Sequence, residues 1–132
     1  MEVRKSTVEV LGVNLFANIY DGKRVLVTGH TGFKGSWLCL WLNELGAEVS
    51  GASLPPKTKH NHWNLINLGI DDHRCDIRDS IHVERVIKKV QPQIVFHLAA
   101  QPLVRRSYKD PIETWSTNVM GTVNVLEACR HT

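Results

Sequence analysis

The chain has 132 residues, enough for one domain with a substantial core, and its 42% hydrophobic and 22% charged residues are ordinary for a globular protein. Sixteen Lys and Arg against thirteen Asp and Glu leave a net charge of +3, and the basic residues are scattered, which argues against a nucleic-acid surface. No apolar run is long enough for a membrane span or a secretory leader, and Cys39, Cys75 and Cys129 stand far apart, as free thiols of a cytoplasmic protein would.

Residues 1–20 read as a weakly ordered lead-in, with a short helix near Leu15 to Tyr20. Asp21-Gly22 turns into a first strand, Val25-Leu-Val27, which runs into glycines at 29, 32 and 35. Ser36 to Leu45 follows as a helix, its apolar face expected at Leu38, Trp41, Leu42 and Leu45, with Gly46 as its left-handed end. A second strand runs from Glu48 to Ser53, and Pro55-Pro56 ends regular structure after it. Trp63 to Leu68 reads as a short helix closed by Gly69, and Ile70 to Asp76 as a third, polar strand. Asp79 is a sensible N-cap for a helix over Ser80 to Val90, which Gln91-Pro92 breaks. Ile94 to Ala100 is a continuous apolar run of the kind that fills a buried parallel strand. Residues 101–110 make a loop or short helix, and Ile112 to Arg130 a long helix with Trp115, Val119, Val123 and Leu126 along one face.

Strands alternating with helices predict an α/β fold, a Rossmann-like doubly wound parallel sheet of about four strands in the order 3-2-1-4, with helices on both faces and truncated after the fourth strand. The crevice of such a sheet lies at the C-terminal ends of strands one and four, where Gly29 to Gly35 and Leu98 to Gln101 fall. Gly29 would permit the tight turn, Gly32 the approach of a pyrophosphate, and Gly35 close packing of the helix. The unpaired N–H groups at the helix start favour a phosphate. Two features depart from this pattern. His30 places a bulky imidazole in the glycine turn, where it would crowd a pyrophosphate or donate to it. Ser53 ends the second strand where a carboxylate would take the ribose hydroxyls, so these residues do not choose between NAD and NADP.

His60 and His62 lack further ligands at a recognisable spacing, so no metal is expected there. His97, in an apolar strand, reads as a hydrogen-bonded core residue.

Four motifs carry a resemblance: Thr28-Gly-His-Thr-Gly-Phe-Lys-Gly35, Asp76-Ile-Arg-Asp79, His97-Leu-Ala-Ala100 and Thr117-Asn-Val-Met-Gly-Thr122. Together they resemble the extended short-chain dehydrogenase/reductases. More narrowly, the glycine turn through Ser36-Trp-Leu38, Ser53-Leu-Pro-Pro56 and Gln101-Pro-Leu-Val-Arg105 resemble the CDP-glucose 4,6-dehydratases. The resemblance implies an NAD-dependent lyase that converts CDP-glucose to CDP-4-keto-6-deoxyglucose by internal hydride transfer. Residues 21–132 would then be the N-terminal part of its NAD-binding domain.

Carried over residue by residue, Gly29, His30, Thr31, Gly32, Phe33, Lys34 and Gly35 would cradle the pyrophosphate, with Ser53 at the adenosine ribose. Asp76 would accept from the adenine amino group with Ile77 beside the ring. Leu98, Ala99 and Ala100 would lie beneath the nicotinamide half. Gln101, Arg105 and Arg106 would meet the substrate, and Asn118 would hold backbone near the site. The resemblance also implies a Tyr-x-x-x-Lys pair, which is not found: Tyr108 has Ile112 four residues on, and Tyr20 has Arg24. No catalytic residue is therefore assigned, and the chain alone is expected to be inactive. A non-catalytic dinucleotide-binding module and part of a sugar-nucleotide epimerase are the alternatives, and a homodimer through the helix near 112–130 is a further expectation.

Overall fold

A computed structural model describes residues 15–132, so most of the expected lead-in lies outside the described residues. The strands are β1 (Arg24–Thr28), β2 (Glu48–Ser53), β3 (Asp71–Arg74) and β4 (Ile94–His97). All pair in parallel, in the order β3-β2-β1-β4. The helices are α1 (Phe33–Glu44), α2 (His62–Ile66), α3 (Ser80–Val90), α4 (Val104–Lys109), α5 (Pro111–Trp115) and α6 (Gly121–Arg130). The expected strand order and two-sided helix cover are both present.

Alternation along β1 divides the core. Val25 and Val27 pack with Cys39, Leu42, Ala47 and Val49 on the α1 side of the sheet. Leu26 points the other way, into a second cluster of Ala52, Cys75, Ile77, Val83, Val86, Ile87, Val125 and Ala128 beneath α3 and α6. A strand with helices on both faces buries every residue, which is why this stretch reads as continuous Val-Leu-Val.

Helix α1 corrects part of the expectation about its apolar face: Leu42 is buried and Leu38 packs on the same core, but Trp41 does not. Gly35, Ser36, Cys39 and Leu42 are its buried residues, whereas Trp41 is 51% exposed. The small residues win because the helix sits close to the glycine turn: a Cβ on Gly35 would lie 2.2 Å from the Gly29 carbonyl oxygen. Apolar residues surround this helix, so spacing alone could not pick the inward face. Gly46 does adopt a left-handed conformation (φ 85°) after α1. The left-handed end of α2 falls on Asn67 (φ 42°) rather than on Gly69. Asp79 caps α3, its carboxylate accepting from the His82 N–H at 3.0 Å.

β4 is shorter than its apolar run and only half-buried, because among the described strands it pairs on one side alone, with β1. The long C-terminal helix is a continuous stack with a π-helical turn, Ser116–Met120, between α5 and α6. Its buried residues are Gly121, Val125 and Ala128. The face expected to be apolar is apolar but outward: Trp115, Val119, Val123 and Leu126 are 37–66% exposed. A Cβ on Gly121 would lie 2.5 Å from Ile77 Cδ1, so the glycine side sets the closer packing.

Candidate functional site

The glycine turn leaves the top of β1 and begins α1. Gly29 has φ 75°, its N–H donates to the Ala52 carbonyl at 2.9 Å, and a Cβ there would lie 2.7 Å from the Ala99 nitrogen. Glycine is therefore required twice, by its left-handed backbone and by the neighbouring strand end. Helix α1 is capped by no side chain, and its first turn holds no acidic residue. The Ser36 N–H donates back to the Gly32 carbonyl at 2.9 Å, closing the first turn. The N–H groups of Phe33, Lys34 and Gly35 precede that bond; Phe33 and Lys34 are exposed and Gly35 is buried. Gly32 is exposed, and a Cβ there would press on the Gly29 oxygen at 3.2 Å, so glycine keeps the turn tight. These residues fit the diphosphate of a dinucleotide: an uncapped helix start, a lysine and no carboxylate.

His30 does not line this opening with its ring. The ring is fully buried on the α1 side, 4.7 Å edge-on from Trp63, with Nε2 3.0 Å from Asp72 Oδ1. Burial holds its pKa below the ordinary value despite the Asp72 carboxylate. Gly51 makes the room, since a Cβ there would fall 2.3 Å from His30 Cγ. The imidazole thus braces the turn from below, and only the His30 backbone remains at the expected cradle.

A chain of hydrogen bonds fixes the floor between β1 and β4. The Thr28 hydroxyl accepts the N–H groups of Leu98 and Ala99, at 3.1 and 3.2 Å. It is also 2.7 Å from His97 Nδ1. With both acceptor positions taken, the hydroxyl donates to Nδ1, which puts the ring proton on Nε2. Nε2 then donates to the Thr122 hydroxyl at 3.0 Å, and that hydroxyl donates to the Asn118 carbonyl at 2.7 Å. Burial holds His97 below its ordinary pKa, consistent with a neutral ring. His97 is thus the expected hydrogen-bonded core residue.

Asn118 sits in the π-helical turn and clamps the loop after β4. Its Oδ1 accepts the Gln101 N–H at 2.7 Å, and its Nδ2 donates to the Gln101 carbonyl at 3.1 Å. The Gln101 side chain is equally committed, to Thr114 and to both backbone groups of Leu103. Gln101 is 6% exposed and shapes the loop; it does not present its amide outward. Arg106 pairs with Glu113 in a two-pronged bond, while Arg105 is exposed.

On the adenosine side, Asp76 is gripped by Arg78 through guanidinium and backbone N–H, which holds its carboxyl below the usual range. The Ile77 side chain is buried against Gly121, so only its backbone faces the crevice edge. Asn124 donates to the carbonyls of Ile77 and Arg78, at 2.9 and 3.2 Å. Ser53 and Thr31 share a hydroxyl–hydroxyl bond of 2.7 Å at the end of β2. His62 bonds Ser36 through Nδ1 and stacks on Trp37, and no cluster of metal-ligating side chains occurs among the described residues. Thr28, Thr122, Asn124 and Asp72 were given no role from the sequence; Thr28 and Thr122 stand in motifs that carry the resemblance, while Asn124 and Asp72 left no local signal.

A parallel sheet whose order reverses between β2-β1 and β4, with a glycine turn into an uncapped helix at that reversal, defines a Rossmann-like nucleotide-binding fold. The family pattern described as GDP-mannose 4,6 dehydratase matches residues 26–132, and the chain belongs to that family. It is 54% identical over 115 residues to the CDP-glucose 4,6-dehydratase of Salmonella typhimurium, covering 86% of this chain and 32% of that protein. A GDP-mannose 4,6-dehydratase of Vibrio cholerae is 34% identical over 116 residues, covering 82% of this chain and 31% of its own. Among solved structures, an epimerase of Methanothermobacter thermautotrophicus superposes with a TM-score of 0.76 at 35% identity, covering 86% of this chain and 33% of that one. The UDP-glucose 4-epimerase of Thermus thermophilus, solved as a complex with NAD, gives 0.72 at 36% identity, covering 81% and 33%. The chain spans about a third of the length of these relatives.

Proposed function

We propose that this chain is the N-terminal, NAD-binding part of a sugar-nucleotide 4,6-dehydratase that acts on CDP-glucose in the cytoplasm. The observation that carries this reading is the uncapped start of α1 at the crevice, within a chain 54% identical to a CDP-glucose 4,6-dehydratase. When bound, NAD supplies a reversible hydride acceptor. The residues of this chain hold and orient it. The N–H groups of Phe33 to Gly35 and the Lys34 ammonium take the pyrophosphate. Ser53, Asp76 and the Ile77 backbone border the adenosine. The backbone of Leu98, Ala99 and Ala100, held by Thr28 and Asn118, sets the floor of the nicotinamide half. Arg105 and Arg106 face the substrate side, and Gln101 supports them by shaping the loop.

No residue assigned here removes the proton of a sugar hydroxyl, a step that hydride transfer requires. The chain alone is therefore inactive. Titration of the purified chain with NAD, followed by tryptophan fluorescence, tests the binding half of the proposal; saturable binding that Lys34→Ala weakens supports it, and no binding overturns it. Incubation with CDP-glucose and NAD tests the other half, and any 4-keto sugar formed refutes it. A non-catalytic binding module is the second reading, favoured by the same missing groups. The outward apolar face at Ile112, Trp115, Val119, Val123 and Leu126 supports pairing of two copies. Sedimentation velocity of the chain and of its Trp115→Lys variant tests this pairing, with a shift to monomer expected.

A further inference from the structure

The floor of the crevice depends on where one proton sits. The Thr28 hydroxyl is buried and has three directions for hydrogen bonding, one for its own proton and two for lone pairs. All three are used. The N–H groups of Leu98 and Ala99 meet the lone pairs at 3.1 and 3.2 Å, and the proton points to His97 Nδ1 at 2.7 Å. On the far side of the ring, the Thr122 hydroxyl donates to the Asn118 carbonyl, so it accepts from Nε2. Nε2 therefore carries a proton whether the ring is neutral or charged, and a second proton can go only to Nδ1. The groups facing the ring are these two hydroxyls, Thr28 from β1 and Thr122 from the C-terminal helix. Burial alone shifts its titration, with no pull from a charged side chain among the described residues. The Cys75 thiol, which lines the same small void as Thr28, is kept protonated by burial.

We infer that His97 is a positioning residue for the cofactor: the backbone of Leu98 and Ala99 keeps its place only while Nδ1 is unprotonated, and a proton taken from solvent by this nitrogen loosens the floor and weakens NAD binding. The part concerning NAD rests on the dinucleotide-binding reading above. A charged ring donates from both nitrogens. The Thr28 hydroxyl must then offer Nδ1 a lone pair and swing its own proton toward one of the two backbone N–H groups, where two donors meet. Leu98 is the better able to let go, because its N–H also reaches the Thr28 carbonyl at 3.1 Å. Whichever gives way, one bond of the three is lost and a buried hydroxyl proton is left without an acceptor. The disturbance also reaches the glycine turn. A Cβ on Gly29 would lie 2.7 Å from the Ala99 nitrogen, so these two backbones already touch and the floor cannot shift alone.

The test is nuclear magnetic resonance of the isotopically labelled 132-residue chain, followed by calorimetric titration with NAD. At about pH 7.5 the ring nitrogens of His97 are expected to show the proton on Nε2. As pH falls to about 5.5, the amide signals of Leu98 and Ala99 should move with the same midpoint as the ring. The amide that lets go should lose about tenfold in hydrogen-exchange protection, the size of one ordinary hydrogen bond. Affinity for NAD should fall about tenfold over the same range, and the fall should vanish in His97→Gln, whose side chain has no proton to gain. A merely structural role for the ring would instead change affinity equally at every pH. A ring proton on Nδ1 at the higher pH, amides that ignore the titration of the ring, or a pH dependence of NAD affinity unchanged in His97→Gln overturns the inference and leaves the dinucleotide reading standing. The resonance measurements use the unsubstituted chain, so they decide the matter even where the variant does not fold. Amides that follow the ring, with no NAD bound at any pH, support the link between His97 and the floor and overturn the dinucleotide reading.

Discussion

Replacing Gly51 by alanine isolates the brace beneath the glycine turn. The new Cβ would fall 2.3 Å from His30 Cγ and 2.5 Å from Cδ2 and Nδ1, about 1 Å inside ordinary contact. The ring has nowhere to go, being fully buried between Trp63, Asp72 and β2. Overpacking at such a site costs about 3 kcal/mol, the upper end of the usual range. His30→Ala removes the obstacle, at the expense of a cavity and of the bond to Asp72. In that background Gly51→Ala has space and gains about 0.5–1 kcal/mol, the ordinary preference for alanine over glycine within a strand. The double-mutant cycle should therefore show about 3.5–4 kcal/mol of coupling, the cost in one background plus the gain in the other and well beyond the roughly 0.5 kcal/mol within which independent sites add. Urea unfolding of the four proteins measures it, with tryptophan fluorescence as the signal, since Trp63 lies against the imidazole. Additive effects would refute the placement of His30 over Gly51.

Asn118→Ala removes both bonds to the Gln101 backbone and should cost about 2 kcal/mol, read as a lower urea midpoint at unchanged slope. Burial holds the pKa of His30 and of His97 below 6.5 in the folded chain. The unfolded state therefore binds protons first as pH falls: stability is full above about pH 6.5 and declines below it, and His97→Gln should flatten that decline in unfolding midpoints between about pH 7.5 and 5.5. Burial pushes Cys39 up to about 12 and Cys75 up to about 11, while Cys129 is exposed. A thiol-disulfide reagent should accordingly label one cysteine quickly in the folded chain and all three after denaturation.

The parts of this fold legible in the sequence are those in which one residue type has one physical use. Gly29 and Gly46 stand at left-handed positions, Asp79 caps α3, and Pro92 follows the end of that helix, each as read. Amphipathic spacing served α3, where Val83, Val86 and Ile87 are buried. It found Leu42 in α1 but misplaced Trp41, and in the C-terminal helix it picked out an apolar face that is outward, because both helices are apolar on more than one side. There the inward face was chosen by closeness of approach, through Gly35 and Gly121, and not by hydrophobicity. The site was legible as backbone and much less so as side chains. The glycine turn and the end of β4 lie together as expected, but His30, Ile77 and Gln101 turn inward. Their partners, Asp72, Gly121 and Thr114, lie 13 to 44 residues away, and nothing in local sequence announces such pairings.

The two sides of the crevice are built differently, and the difference bears on how it would bind. The floor is fixed from within. Thr28, His97, Thr122 and Asn118 form one connected run of hydrogen bonds from the end of β1 to the Gln101 backbone. A ligand resting on Leu98 to Ala100 would meet a surface already in place, with little ordering left to do. The rim on the adenosine side is satisfied only by itself. Asp76 is held by Arg78, and Ser53 by Thr31 and the Leu54 carbonyl. A nucleotide entering there must exchange those bonds for its own, and an exchange of equals contributes little net free energy. Most of the affinity should therefore come from the start of α1, whose first N–H groups have no partner among the described residues to give up, and the rim should act mainly on which nucleotide is accepted.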